Sequence, residues 1–151
     1  MREIMKVLVA DKVSDELISR IEALGAEVIY SPDLSADSLP DAIGNALVLI
    51  VRSTKVTQKT IAAGTHLSLI VRAGAGVNTI DLEAASNLGI YIANCPGMNT
   101  DAVAELVIGL LISVDRGITD ATHALRCGQW QKKRFGRAKG LKGRTLGIVG
   151  T

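Results

Sequence analysis

The run Leu47-Val48-Leu49-Ile50-Val51 is aliphatic without interruption and stops at Arg52-Ser53-Thr54. An extended segment apolar on both faces belongs at the centre of a parallel sheet that helices cover from both sides. Four further runs fit the same sheet: Lys6 to Ala10, Ala26 to Tyr30, Leu67 to Val71 and Ile90 to Ala93. Helical segments lie between them. Ser14 caps one that runs to Leu24, with Leu17, Ile18, Ile21 and Leu24 on one face and Gly25 closing it. Others are expected over Ser35 to Asn45, Thr57 to Ala63 and Asp81 to Leu88, the last closed by Gly89. Strict alternation of strand and helix implies parallel strands joined by right-handed crossovers. Aromatic residues make up only 3% of the chain, so the core is built from Ile, Val, Leu and Ala.

The expected class is α/β, with residues 1–98 forming a five-stranded parallel sheet of flavodoxin-like form. The pattern changes at Asn94-Cys95-Pro96-Gly97-Met98-Asn99, where Pro-Gly marks a domain boundary. Residues 99–151 open with a helix, capped by Thr100, from Ala102 to about Gly117 that is apolar almost all round except for Glu105 and Asp115. Such a helix is normally buried on every side, by a partner subunit or by further sequence. Thr145 to Val149 reads as a strand reaching a glycine turn at Gly150, which is how a dinucleotide-binding Rossmann unit begins. Taken alone, without the rest of the fingerprint, it reads rather as an ordinary strand end.

Bulk properties remove several function classes. A net charge of +2 argues against nucleic acid or an anionic membrane as partner. Two cysteines, Cys95 and Cys127, and two histidines lack metal-ligand spacing, so no metal site is expected. Free thiols of this kind suit a reducing cytosol. Lys6 interrupts the first apolar run, so the N-terminus does not read as a signal peptide, and Leu106 to Val114 is too short to span a bilayer. The expectation is a soluble, cytoplasmic protein.

The chemistry is expected at the ends of the third and fourth strands. Arg52 follows one aliphatic run and Arg72 the next, and Arg72 leads into Ala73-Gly74-Ala75-Gly76. In an open α/β sheet ligands sit beyond the carboxyl ends of the strands. Two guanidinium groups beside the backbone N–H groups of Gly74 to Gly76 suit a small di- or tri-anion such as a phosphate or carboxylate. The competing reading is an ordinary tight turn with solvated arginines. A phospho-acceptor receiver domain is ruled out, because its third strand must end in an aspartate and this one ends in Arg52. Glu105 reads as a charge near a helix start, His66 and His123 as surface residues, and Cys95 as a packed thiol. The basic run of Lys132, Lys133, Arg134, Arg137, Lys139 and Lys142 around Phe135 reads as a solvated loop or as an anion contact.

Several segments together resemble the D-2-hydroxyacid dehydrogenase family. They are Leu49 to Thr57, Arg72 to Ala85, Asn94 to Asn99, Val103-Ala104-Glu105-Leu106, Gly128-Gln129-Trp130 and Leu141 to Gly150. The arginine pair, Arg52-Ser53 and the Gly-x-Trp segment are most like the branch that acts on 3-phosphoglycerate. The resemblance implies an oxidoreductase converting 3-phospho-D-glycerate to 3-phosphohydroxypyruvate with NAD, in serine biosynthesis. It implies that 1–98 is the substrate-binding domain and 99–151 the opening of the NAD-binding domain. Substrate would be held by Arg52, Ser53, Arg72, Gly74, Ala75 and Gly76. Cofactor contacts would come from Ala75, Val103 and Gly150. Ala75 stands where relatives often carry threonine, and Asn78 where many carry aspartate. The helix from Ala102 would join a homodimer, and Lys132 to Arg134 would lend a cation to the neighbouring subunit's site.

The resemblance also implies that the catalytic histidine, its acidic partner and most of the NAD site lie outside these 151 residues. No catalytic residue is therefore expected in this chain, and the chain alone is expected to be inactive. Two alternatives stand beside this reading: a glyoxylate or hydroxypyruvate reductase, and a non-catalytic anion-binding module.

Overall fold

The computed structural model describes residues 4–149. The chain divides into two compact units, Met1–Met98 and Asn99–Thr151.

The first unit alternates strand and helix: β1 (Lys6–Val9), α1 (Asp15–Glu22), β2 (Glu27–Tyr30), α2 (Leu39–Ala42), β3 (Val48–Val51), α3 (Gln58–Ala63), β4 (Leu69–Arg72), α4 (Leu82–Asn87) and β5 (Tyr91–Ala93). The five strands form one parallel sheet in the order β2-β1-β3-β4-β5. The register places Ile29, Leu8, Leu49, Ile70 and Ile92 in one row across it. Side chains alternate between faces along a strand, so this row and its neighbours Ala10 and Val51 share one face. There they pack against Leu39, Ile43, Ile61 and Ala85 from α2, α3 and α4 and the residue closing α2. The opposite face carries Val7, Val9 and Ile50, met by Val13 and by Ile21 of α1.

Two helix starts are fixed by side chains. The Ser14 hydroxyl accepts the Leu17 N–H at 3.3 Å, and Asp81 Oδ1 accepts the Ala84 N–H at 3.0 Å. The helix expected over 35–45 is reduced to Leu39–Ala42. Ser35 and Ser38 take up each other's backbone N–H groups, at 2.9 and 3.3 Å, which favours a local turn over the first helical turn. Pro40 then starts the short helix.

The second unit contains α5 (Thr100–Arg116), α6 (Ile118–Arg126) and α7 (Lys132–Phe135). The cap of α5 falls on Asn99 rather than Thr100, with no side-chain bond. Gly117 ends α5 and begins α6 at φ +61°, and a Cβ there would stand 3.3 Å from the Phe135 ring. Only glycine meets both demands cheaply. Asp115, with 8% of its side chain exposed, accepts the Gly140 N–H and the Arg144 guanidinium, both at 2.9 Å, and pins the basic segment to α5.

One expectation is corrected here and another is met. As expected of a helix whose cover comes from a partner or further sequence, Leu106, Val107, Leu110 and Val114 of α5 are 50–81% exposed among the described residues. Residues 145–149 form no strand, since they have no hydrogen-bonded neighbour among the described residues. Gly150, expected to open a dinucleotide-binding turn, lies outside the described residues. No helix of the described residues is long and apolar enough to cross a membrane.

Candidate functional site

Because every strand is parallel, the segments after β1, β3, β4 and β5 emerge at one edge of the sheet. The strand order reverses between β1 and β3, and the crevice at such a reversal is where open α/β sheets bind ligands. Asp11, two residues past β1, spans this point. Its Oδ2 accepts the backbone N–H groups of Arg52 at 2.7 Å and of Ser53 and Thr54 at 3.0 Å. Partial burial pushes the carboxyl pKa upward, but the N–H groups of Arg52, Thr54 and Ser53 outweigh it and the net displacement is downward. The carboxylate thus occupies a cradle of N–H groups that an external anion would otherwise take. Ser53, expected to bind substrate, has its N–H committed to Asp11 and retains only its hydroxyl. In the sequence Asp11 directly follows the first aliphatic run, and an acidic residue at that edge is a readable signal of this role.

The two arginines lie at this edge but are not level. Val51 pairs with Arg72, so Arg72 is the last residue of β4 and Arg52 stands one residue beyond β3. Arg52 is exposed, and its guanidinium has no protein partner among the described residues. Arg72 folds back over the glycine turn, and its Nη1 donates to the Gly76 carbonyl at 2.6 Å. Its Nε is buried without a partner. A Cβ on Gly74 would stand 3.1 Å from Arg72 Nη1, and one on Gly76 would stand 3.4 Å from it. The glycines therefore make room for the guanidinium. Neither adopts positive φ, so backbone freedom is not what requires them.

The turn is held by its carbonyls. Gly74 O accepts the Cys95 N–H at 2.9 Å, and Ala75 O accepts Asn94 Nδ2 at 2.6 Å. The Gly74 N–H turns back to Arg72 O at 2.8 Å, which removes it from the expected anion donors. The N–H groups of Ala75 and Gly76 donate to no protein acceptor among the described residues, and both residues are exposed. Two free N–H groups, one free guanidinium and a second guanidinium with a buried, unpartnered Nε converge on one strand-end region. This arrangement can hold a small anion with more than one negative oxygen.

Of the expected cofactor contacts, Ala75 is in this turn and Val103 lies in the first turn of α5, 49% exposed. His66 is exposed in the first unit, and His123 lies on α6 of the second.

Comparison with known proteins gives a consistent placement. Residues 7–144 match the model of the D-isomer-specific 2-hydroxyacid dehydrogenase catalytic domain. The chain is 42% identical over 149 residues to D-3-phosphoglycerate dehydrogenase of Methanocaldococcus jannaschii, covering 97% of this chain and 28% of that protein. It is 41% identical over 141 residues to hydroxypyruvate reductase of Thermotoga maritima, covering 93% of this chain and 45% of that one. The structure of NAD+-bound 3-phosphoglycerate dehydrogenase from Entamoeba histolytica matches with a TM-score of 0.66 at 35% identity, over 75% of this chain and 40% of that one. The chain belongs to the D-isomer-specific 2-hydroxyacid dehydrogenase family, and spans less than half the length of these relatives.

Proposed function

We propose that this family member carries the substrate-binding part, residues 1–98, of an NAD-dependent enzyme that oxidises 3-phospho-D-glycerate to 3-phosphohydroxypyruvate in cytoplasmic serine biosynthesis. The observation that carries the reading is the pair of arginines on adjacent strand ends beside the free N–H groups of Ala75 and Gly76. Arg52 and Arg72 take the phosphate, helped by the Ser53 hydroxyl, and the two N–H groups take the carboxylate. The Gly74 side of the turn provides space rather than a donor. NAD, when bound, supplies the hydride acceptor, and Ala75, Val103 and Gly150 are its contacts in this chain. Asp11 keeps the Arg52-Ser53-Thr54 turn in place, so the substrate anion meets a guanidinium rather than a competing N–H cradle.

Calorimetric titration of the 151-residue chain with 3-phosphoglycerate tests this. Saturable binding is expected, weakened at least tenfold by either Arg52→Ala or Arg72→Ala, since a charge-assisted contact contributes about 1.5–3 kcal/mol. An NADH-coupled assay of the same samples with phosphohydroxypyruvate is expected to stay at background, because none of the residues proposed to bind substrate is a histidine. Enzyme-dependent turnover would refute that part.

A second reading, a hydroxypyruvate or glyoxylate reductase, is favoured by the 41% identity to the Thermotoga maritima enzyme. Equal affinity for hydroxypyruvate and 3-phosphoglycerate, with no loss in either arginine variant, would decide for it.

The exposed apolar residues of α5 are the basis for proposing a homodimer joined through this helix, with Lys132 to Arg134 lending a cation to the partner's site. Sedimentation is expected to show a dimer that Leu106→Asp with Leu110→Asp converts to monomer. A parent chain that sediments as monomer at all concentrations tested would remove the proposal.

A further inference from the structure

The second unit holds a thiol and an imidazole in contact. Cys127 is a free, exposed thiol, and its Sγ lies 3.8 Å from His123 Nε2. The spacing is fixed by the helix, because the Cys127 N–H still donates to the His123 carbonyl at 3.1 Å. The pair opens on a cavity of about 190 Å³ whose other polar walls are Asp120, Gln129, Gln131 and Arg134.

The walls are ordered. Arg134 lies 3.6 Å from Asp120, bonds Gln131 Oε1 at 3.2 Å and stacks on the Phe135 ring with its guanidinium carbon 5.0 Å from the centroid. Gln131 in turn donates to Gln129 Oε1 at 2.7 Å. The wall carries one cation, Arg134, set against one carboxylate, Asp120. Among the described residues no group of three or more His, Cys, Asp or Glu is placed to hold a metal ion. Asp120 and Gln131 engage Nη2 and Nη1 of Arg134, and the remaining guanidinium N–H groups are left as donors for an anionic ligand.

We propose that Cys127 is a site of reversible mixed-disulfide formation with small carboxylate-bearing disulfides, with His123 as proton acceptor and Arg134 as the anchor for the carboxylate. The thiolate is the reacting form of cysteine. His123 Nε2 takes the thiol proton, and the Cys127 sulfur attacks one sulfur of R–S–S–R. The old S–S bond breaks as the new one forms, and R–S⁻ leaves with the electron pair and receives the proton from His123. Protein thiol and disulfide become protein mixed disulfide and free R–SH, so atoms and electrons balance without a further oxidant. Cys95 is an internal contrast: it is half-buried and contacts no imidazole.

The test uses the full chain with Cys95→Ser, so that Cys127 is the one thiol, and follows its reaction with the dianion dithionitrobenzoate and with neutral dithiodipyridine. Mass spectrometry assigns the adduct, and circular dichroism confirms that each variant is folded. Replacing His123 by Asn is expected to slow both reagents about tenfold. Arg134→Gln is expected to slow the dianion severalfold more than the neutral reagent. Loss of less than threefold in His123→Asn, or equal effects of Arg134→Gln on the two reagents, overturns the proposal. A His123→Gln variant reads the same quantity if the asparagine form is unfolded.

Discussion

Leu49→Ala is expected to destabilise the first unit by about 3–4 kcal/mol, the range for a large side chain removed from a closely packed core. Leu49 is fully buried on the central strand β3, and its register partners Leu8 and Ile70 are 1% and 0% exposed. None of the three can move to fill the gap without breaking the row that crosses the sheet. The spectroscopy separates the units, because both tyrosines, Tyr30 and Tyr91, are in the first unit and Trp130 is in the second. Urea unfolding followed by tyrosine fluorescence and by circular dichroism should show the loss. A change below about 1 kcal/mol would mean that Leu49 is not enclosed as described.

Asp11→Ala is expected to cost about 2 kcal/mol at neutral pH, because three backbone N–H groups lose one charged acceptor. The value sits below the about 4.5–9 kcal/mol of three full charge-assisted bonds, since Arg52 and Ser53 are exposed and water can reach their N–H groups. The pH dependence has a definite sign. The folded pKa of Asp11 is lowered below the ordinary 3.8. Its contribution is therefore fully present above the unfolded value and is lost as pH falls through the folded one. In Asp11→Asn the residue no longer titrates, so acidification from pH 5 to about pH 3 should destabilise this variant less than the parent. Parallel stability curves for the two proteins would show that Asp11 is not the acceptor of these bonds.

The sheet was readable because its physics is local to each strand. Leu47 to Val51 has no polar face, and only a doubly covered strand accommodates that. What the sequence concealed came from pairing across distance. The one-residue stagger of Arg52 against Arg72 depends on the β3–β4 register, which no spacing along the chain encodes. The role of Asp11 depends on β1 and β3 being neighbours, 41 residues apart for its bond to Arg52. Helix α6 is legible only by its spacing, since Ile118, Ala121 and Leu125 recur at helical intervals directly after Gly117 among the polar residues Thr119, Asp120, Thr122 and His123. The strand expected at Thr145 to Val149 failed for the opposite reason. Its composition suits a strand, but a strand also needs a neighbour to bond.

The order β2-β1-β3-β4-β5 has a consequence during synthesis. Val7 and Val9 lie in the interior of the finished sheet, but Val7 pairs with Val48, about forty residues later in the chain. At roughly 5–20 residues per second, a ribosome takes about 2–8 s to deliver that partner after β1 has emerged. The first strand can meet β2 earlier, since Lys6 pairs with Glu27, but β2 is an edge and two strands alone are marginal in water. For those seconds the most apolar stretch of the early chain is left to solvent or to whatever binds nascent hydrophobic segments. Yield in the cell is thus sensitive to the time between the emergence of β1 and that of β3.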